Sequence, residues 1–291
     1  MATLKAIRRR IASVKSTQQI TRAMKLVAAA RLRRAQEALL NARPYHEALT
    51  RVADSLLASA PEAAAPAENA APVTLVIVVS SDRGLCGGYN ANLIRAAESE
   101  AQRLRAAQSE PRFFAVGRKA LDHFRRYHYP LDGERINNVP RLATVGLARD
   151  LATIIGERWR TGAISAVGVV YSQFRSPISQ RPVFEKLLPI APSARPADGA
   201  PVTDYLIEPS AAELVPRILR SYLEAAMLHA LLEAEASEYG AKMTAMDAAT
   251  NNAAEMISRL TLEMNRARQA QITKELMDIV GGAEALRGAA A

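Results

Sequence analysis

A glycine-rich turn is the first place where residue types and spacing could support chemistry. Residues 81–90 read SDRGLCGGYN, follow a strongly apolar stretch and open a predicted helix. A loop in this position could bind phosphate, because the first N–H groups of a helix are unpaired and carry positive potential. The turn has neither the GxGxxG nor the GxxxxGK[ST] spacing. A structural turn is therefore the favoured interpretation, and a nucleotide-binding enzyme stays an alternative.

The other residues that could act in catalysis or metal binding are isolated from one another. Cys86 is the only cysteine, which excludes a disulfide framework and a multi-cysteine metal site. No paired histidine activates it as a nucleophile. The acids of residues 233–238 fit a solvated helix face. Four histidines occupy separate segments without ligand spacing: His46, His123, His128 and His229. We predict no catalytic residue, no metal site and no cofactor.

Positive charge is the strongest chemical signal, and it is concentrated at one end of the chain. The net charge is +9, and residues 1–51 carry twelve Lys/Arg against two Asp/Glu. Residues 52–208 carry eighteen against sixteen, and residues 209–291 carry eight against eleven. Like charges on one helix repel unless a partner neutralises them. The N-terminal segment therefore predicts an acidic partner such as nucleic acid, anionic lipid or an acidic protein surface.

Composition limits the class of protein. A chain of 291 residues predicts about two domains. The 49% hydrophobic and 23% charged residues indicate a folded core rather than disorder. Aromatic residues make up 5%, which disfavours a stacking platform for single-stranded nucleic acid. No apolar run approaches the length of about 20 residues that a membrane-spanning helix needs.

The elements that position these groups begin with an N-terminal helix over residues 1–60. Apolar residues recur there at the 3–4 spacing of a coiled-coil seam. The first set is Leu4, Ile7, Ile11 and Val14, and a second set in shifted phase is Ile20, Met24, Val27 and Arg31. Residues 61–72, PEAAAPAENAAP, read as a linker.

Strands and helices then alternate over residues 73–208. Strands are predicted at 73–80, 112–116, 163–172 and 182–190, the last antiparallel to the one before it, and helices at 91–107, 118–127 and 147–160. Such alternation predicts an open α/β sheet with helices on its faces.

A second long helix is predicted over residues 209–286, ending at Gly281 and Gly282. Its seam is Met243, Met246, Thr250, Ala253, Ile257, Leu260, Met264 and Ala267. A helix of this length cannot bury its apolar stripe alone. We therefore predict an antiparallel coiled coil of the two terminal helices, with the α/β domain inserted between them.

Three separated motifs resemble one known family, the gamma subunits of F-type ATP synthases. They are TQQITRAMKLVAA at residues 17–29, SDRGLCGG at 81–88, and a C-terminal group. The C-terminal group comprises AMDAATNNA at 245–253, NRARQAQITKEL at 265–276 and IVGGA at 279–283. The resemblance extends over the whole chain in the family's order, and the family combines an antiparallel coiled coil with a Rossmann-like domain that binds no dinucleotide.

The resemblance implies that this chain is a rotor shaft without catalytic activity of its own. The coiled coil would lie inside a hexamer of alpha and beta subunits, and the globular domain would hold the epsilon subunit and stand on the c ring. Proton flow would turn the ring, and the shaft would drive each beta subunit through different nucleotide affinities. Membrane contact would occur only through the c ring.

Residue roles follow from the same resemblance. Arg268, Gln269 and Thr273 match positions that hydrogen-bond a loop of one beta subunit, here named the catch. Tyr205 and Glu208 match the foot that touches epsilon and the c ring. A further group matches or fits the surface facing the acidic lever of beta: Met24, Lys25, Arg8, Arg9, Arg31, Arg33 and Arg34.

Source and location are expectations of the same kind. No cleavable leader and no regulatory cysteine pair are predicted, which favours a bacterial protein at the cytoplasmic face of the inner membrane. A nucleic-acid-binding protein that uses the same basic helix is the alternative function. It predicts binding to random DNA that weakens steeply with salt.

Overall fold

Two long helices flank a set of alternating strands and helices along the chain. The computed structural model describes residues 4–59, 70–136, 142–190, 208 and 210–289. The helices in these residues are α1 (Leu4–Ser59), α2 (Tyr89–Ala106), α3 (Arg118–Arg126), α4 (Leu142–Arg160) and α5 (Ala211–Ala289). The strands are β1 (Val73–Val79), β2 (Glu110–Val116), β3 (Leu131–Arg135), β4 (Ala166–Ser176) and β5 (Ser179–Leu188). The predicted combination of two terminal helices with an inserted Rossmann-like sheet is confirmed.

Residues that commonly break helices lie inside both long helices. Pro44 lies within α1, which continues to Ser59 although proline removes one backbone hydrogen bond. Gly281 and Gly282, predicted to end the second helix, lie inside α5, so that expectation is wrong. Each glycine costs a helix only about 1 kcal/mol relative to alanine. The alanine-rich sequence that follows favours the helix enough to continue it.

The five strands form one sheet in the order β3-β2-β1-β4-β5. β1 pairs in parallel with β2 and β4, and β2 pairs in parallel with β3. β5 is antiparallel to β4, as predicted. The sequence analysis missed β3, because its short sequence LDGER has no apolar alternation to reveal it.

The sheet has a hydrophobic core on each face. All seven residues of β1 are buried, and alternate side chains point to opposite faces. Leu75 and Ile77 join α4 and α5 in one core, together with Ala53 of α1. Val76 and Val78 join α2 and α3 in the other core. A strand covered on both sides explains why its sequence is continuously apolar.

Contacts divide the chain into two units. The terminal unit comprises Met1–Val27 and Ala245–Ala291, and the central unit comprises Ala28–Thr244. Within each unit a segment of α1 lies antiparallel to a segment of α5. This division passes through both long helices, and the domain boundaries given above for residues 1–60, 73–208 and 209–286 stay a prediction.

The central unit packs its helix pair through small and branched side chains. Leu32, Ala35 and Leu39 of α1 form a buried cluster with Leu232 and Ala236 of α5. Two further bonds tie α5 to the inserted domain. The buried hydroxyl of Ser237 donates to the Ser172 carbonyl at 2.7 Å, and the hydroxyl of Tyr89 donates to the Ala234 carbonyl at 3.1 Å.

The predicted seams are confirmed in α5 and only partly in α1. Met246, Ala253 and Leu260 are buried, and the other predicted α5 positions are partly buried. In α1 the first set is buried or half-buried, but the second set is confirmed only at the half-buried Met24. Ile20 and Val27 are 57% and 54% exposed, whereas Thr21 and Ala28 are buried. The smaller residues face inward because they allow the helices to approach closely.

Candidate interaction surfaces of the long helices

The C-terminal part of α5 extends past the start of α1. Thr250 Oγ1 lies 2.8 Å from Thr21 Oγ1, and Lys25 Nζ lies 2.5 Å from Asp247 Oδ1. This antiparallel register places Leu4 level with roughly residue 267. From residue 268 to residue 283 every side chain is exposed. The stretch from there to the end of α5 is about 33 Å long at about 1.5 Å per residue.

The predicted catch residues lie together at the beginning of this exposed stretch. Arg268, Gln269 and Thr273 are all exposed on α5. Gln269 and Thr273 are four residues apart and share a helix face, whereas Arg268 lies about 100° from Gln269 around the helix. Gln271 Nε2 donates to Glu275 Oε1 at 2.9 Å, on the side of the helix that carries Arg268 three and seven residues away.

An apolar stripe continues along the same exposed helix end. Ile272, Leu276 and Ile279 follow a 4–3 spacing and are 49%, 57% and 68% exposed. Met277 and Val280 lie beside them with similar exposure. The sequence analysis stopped the seam at Ala267 and missed this stripe, although the same apolar repeat signals it. Large exposed apolar stripes mark binding surfaces.

Lys25 is held by a partner inside the terminal unit. Its ammonium forms an ion pair with Asp247, and the two side chains are 39% and 46% exposed. Asp247 was not recognised from the sequence as this partner. The antiparallel register would have revealed it, because Thr21 and Thr250 lie one turn away in the same pairing. Met24, next to Lys25, is partly exposed.

The outer side of α1 in the terminal unit combines apolar and basic side chains. Ile20, Met24 and Val27 form a stripe on the side not buried against α5. Arg8 and Arg9 are exposed and form no ion pair with any residue that the structure describes. The terminal unit therefore offers a surface suited to a partner with acidic and apolar side chains.

In the central unit two of the three predicted arginines have intramolecular contacts. Arg31 Nη1 lies 3.3 Å from the hydroxyl of Tyr239, with its guanidinium 5.7 Å from the ring centroid. Arg33 Nε lies 3.4 Å from Glu37. Arg34 is exposed and makes no ion pair within the described part of the chain.

The predicted foot is only partly described. Glu208 is exposed, and Tyr205 lies outside the described residues. The structure therefore leaves the foot assignment as a prediction.

The polar side chains of the glycine-rich turn form hydrogen bonds within the protein. The amide of Asn90 donates to Ser81 Oγ at 2.8 Å and to Cys86 Sγ at 3.2 Å. Asp82 accepts the N–H of Arg118 at 2.9 Å and so caps α3. Leu85 has a φ of 66°, a left-handed conformation that tightens the turn. Burial raises the pKa of the Cys86 thiol, which disfavours the reactive thiolate.

A small acidic cavity lies beside this turn, at the carboxyl ends of β1 and β2. It has a volume of about 130 Å³, and its lining includes Ser81, Tyr89, Glu235 and Glu238. Sheets of this kind bind nucleotides at such an edge. Three carboxylates in the lining, Asp82, Glu235 and Glu238, oppose a phosphate there.

Among the described residues neither long helix contains an apolar stretch sufficient to cross a bilayer. In the same residues no group of three His, Cys, Asp or Glu side chains is arranged to hold a metal ion.

Comparison with known sequences matches nearly the whole chain. A family profile described as ATP synthase matches residues 3–286. An ATP synthase gamma chain of Pelotomaculum thermopropionicum is 45% identical over 288 residues, which cover 98% of this chain and 100% of that relative. A gamma chain of Moorella thermoacetica is 45% identical over 291 residues, with 99% and 100% coverage.

Comparison with solved structures matches the fold. A chain in the Euglena gracilis mitochondrial ATP synthase (OSCP/F1/c-ring, rotational state 3) aligns with a TM-score of 0.66 at 20% identity, covering 98% of this chain and 95% of that one. A chain in the Tetrahymena thermophila mitochondrial central stalk and c ring aligns with a TM-score of 0.58 at 23% identity, covering 79% and 99%.

Proposed function

Because the chain belongs to the ATP synthase gamma chain family, we propose that it is the central rotor stalk of an F-type ATP synthase. It couples ion flow through the c ring to ATP synthesis or hydrolysis at the beta subunits by rotation. The observation that carries this function is the family match over residues 3–286. The antiparallel pairing of α1 with α5 supplies the expected shaft. Nothing in the comparisons favours the nucleic-acid-binding alternative.

The stalk makes no covalent bond in ATP and is not itself an enzyme. It acts by contacting beta subunits differently in their different states, which supplies a coupling free energy between distant sites. Such coupling requires a shaft whose sides differ. The described residues meet that requirement, since α5 presents Arg268, Gln269 and Thr273 at one level of its surface while α1 presents arginines.

The exposed end of α5 fits enclosure by the alpha–beta hexamer. Ile272, Leu276, Met277, Ile279 and Val280 leave apolar surface in water. Burial of such side chains stabilises a contact by about 1.5–3 kcal/mol each when complete. The catch residues then hydrogen-bond a loop of one beta subunit at the beginning of the same stretch.

The basic residues of α1 face the acidic lever of beta. Arg8 and Arg9 suit this role best, because no described acid neutralises them. Lys25 is already paired with Asp247, so it presents less net positive charge to an outside partner. In the central unit Arg34 is the least engaged of the three arginines. Arg33 is partly neutralised by Glu37, and Arg31 keeps its charge but is oriented by Tyr239.

Epsilon and the c ring are the partners of the globular domain, through the foot at Tyr205 and Glu208. Membrane contact occurs only through the c ring, so the chain is a peripheral subunit. The relatives reported above are from bacteria, which supports a location at the cytoplasmic face of the inner membrane.

The catch assignment is tested by changing Arg268→Ala and Gln269→Ala together in the assembled complex. ATP hydrolysis or its coupling to proton transport should weaken at least tenfold, because several charge-assisted bonds of about 1.5–3 kcal/mol are lost. The matched control is Lys274→Ala with Asp278→Ala, which lie on the side of the same helix that faces away from Arg268 and Gln269 and are also exposed. Equal effects of the two double variants would remove the catch assignment.

The basic surface is tested by Arg8→Glu with Arg9→Glu. Repulsion from an acidic lever should impair assembly or coupling, and the defect should shrink at high salt. The control reverses Arg95 and Arg126, two exposed arginines of α2 and α3. Normal assembly and coupling of the Arg8 and Arg9 variant would exclude a contact between these arginines and the acidic lever of beta.

A further inference from the structure

Two histidines from different helices lie ring to ring inside the central unit. His46 of α1 and His229 of α5 have ring centroids 4.4 Å apart and planes within 5° of parallel. Both Nδ1 atoms are buried and have no hydrogen-bond partner among the described residues. Leaving such a buried atom unpaired is unfavourable. The stack is therefore held by packing between neutral rings rather than by hydrogen bonds.

Carboxylates lie near the stack but are engaged with other groups. Glu233 Oε1 is 3.8 Å from His229 Nε2, beyond hydrogen-bond distance. The other oxygen of Glu233 accepts the N–H of Phe174 in β4 at 2.6 Å. Glu185 of β5 accepts the hydroxyl of Tyr171 at 2.8 Å. Neither carboxylate is placed to receive a proton from a charged imidazole.

Positive charge also faces the pair. Arg43, one turn before His46 on α1, lies 4.0 Å from Glu233 and acts on His229 as a like charge. Glu47 of α1 and Glu185 of β5 act on His46 in the opposite sense but do not outweigh its burial. Tyr171 of β4 meets the His229 ring edge-on at 6.3 Å and carries no charge near neutral pH.

We propose that the His46–His229 stack is an acid-sensitive joint between α1 and α5. Protonation of either ring places a cation in a partly buried stack whose nearest described carboxylate, Glu233, is beyond hydrogen-bond distance, and protonation of both places two cations face to face. Either event favours an open state in which the rings reach water. The segment of α1 around His46 then separates from α5 and from the sheet while the rest of the fold persists.

The direction of the pH dependence follows from the two protonation states. Burial, with smaller contributions from His46 and Arg43, lowers the pKa of His229 to about 4 from its ordinary value of 6.5. Burial also lowers the pKa of His46. At His229 the open state therefore binds a proton below pH 6.5, whereas the closed state does so only near pH 4. The joint is most stable above pH 6.5. From His229 alone its opening constant rises about tenfold by pH 5.5.

Protonation of Glu233 has the opposite effect on the opening equilibrium, so Glu233 has to be retained in every variant that is compared. Burial raises the pKa of Glu233, so the closed state takes up a proton there more readily than the open state as the pH falls. This uptake offsets part of the histidine effect. The test therefore compares histidine variants that all retain Glu233.

The experiment is hydrogen exchange of the full chain at pH 7.5 and pH 5.5, corrected for the intrinsic pH dependence of exchange. Peptides around residues 43–54 should exchange up to about tenfold faster at pH 5.5, because exchange reports the opening equilibrium. The variant His46→Phe with His229→Phe should lose this difference, and His128→Phe, at an exposed site, should retain it. The proposal would be overturned if the double variant kept the full difference in exchange between pH 7.5 and pH 5.5, or if the wild type showed no such difference.

A second measurement follows the histidines of the wild-type chain and uses variants only for assignment. The chain has four histidines, so ¹³Cε1 resonances of the wild type can be followed individually through a pH titration. Single variants His46→Phe and His229→Phe assign the two resonances of the stack; that of His229 should keep the neutral shift well below pH 6, and that of His46 should titrate below its ordinary pKa. Titration of both near pH 6.5 would contradict the proposal.

Discussion

Changing Asp247→Lys should loosen the pairing of α1 with α5 in the terminal unit, and adding Lys25→Glu should restore it. The Nζ–Oδ1 distance is 2.5 Å, and the side chains are 39% and 46% exposed. A pair this accessible contributes about 0.3–1 kcal/mol, because solvent screens it. The single reversal loses that attraction and adds a repulsion of similar size. We expect a total loss of about 1–2 kcal/mol and recovery to within about 0.5 kcal/mol in the swapped pair.

Hydrogen exchange of peptides within residues 14–27 measures this loss locally. A loss of 1–2 kcal/mol corresponds to about 5- to 30-fold faster exchange, and peptides from the central unit serve as internal reference. The effect should diminish at 1 M salt, where the screening length falls to about 3 Å. The matched control is Glu255→Lys, which reverses an exposed acid of α5 that makes no described ion pair.

The double variant decides whether the reasoning holds. If the swapped pair exchanges as fast as Asp247→Lys alone, Lys25 and Asp247 do not meet across the two helices and the antiparallel register is wrong. If Lys25→Ala disturbs the assembled complex far more than Asp247→Ala does, Lys25 also contacts beta, as the family resemblance implies.

Three further predictions concern stability and activity. Gly117→Ala should lower the unfolding free energy by about 2–3 kcal/mol, because the φ of Gly117 is 95° and a Cβ would collide with the Ser80 carbonyl. Thermal unfolding measures this loss, and the control Gly282→Ala, in open space, should be neutral or stabilising. Ser237→Ala should lower the unfolding free energy by about 1–3 kcal/mol, because the buried Ser172 carbonyl loses its hydroxyl donor. The control Ser258→Ala changes an exposed site and should leave stability unchanged; equal melting temperatures of the two variants would refute the prediction. The purified chain alone should show no ATP hydrolysis above background in a phosphate-release assay, and genuine turnover would overturn its assignment as a non-catalytic subunit.

The fold could be predicted from the sequence wherever the burial of a strand or helix produces a regular pattern of apolar residues. The buried strand Val73–Val79 is continuously apolar, and the α5 seam repeats at 3–4 spacing, so both were recognised. The second α1 seam was misplaced because burial there follows small residues such as Thr21 and Ala28. Hydrophobicity alone cannot indicate that close helix approach outweighs burial of Ile20 and Val27.

The interaction residues were predicted by resemblance rather than by physical pattern. Exposed polar groups such as Arg268 and Gln269 carry no periodic signal in one sequence. The charge excess of residues 1–51 was a physical signal, and it indicated the class of partner but not which arginines stay free. Contacts such as Lys25 with Asp247 and Arg31 with Tyr239 join residues more than two hundred positions apart, so only the register of the helices reveals them.

Rotation of this chain within its complex is the most direct test of the central claim. A complex with immobilised beta subunits would carry a bead on Arg126→Cys, an exposed site on α3, while the natural thiol of Cys86 is buried. The stalk assignment predicts unidirectional, ATP-dependent rotation of the bead that stops when ATP is removed. A bead that stays fixed while the complex hydrolyses ATP would contradict it.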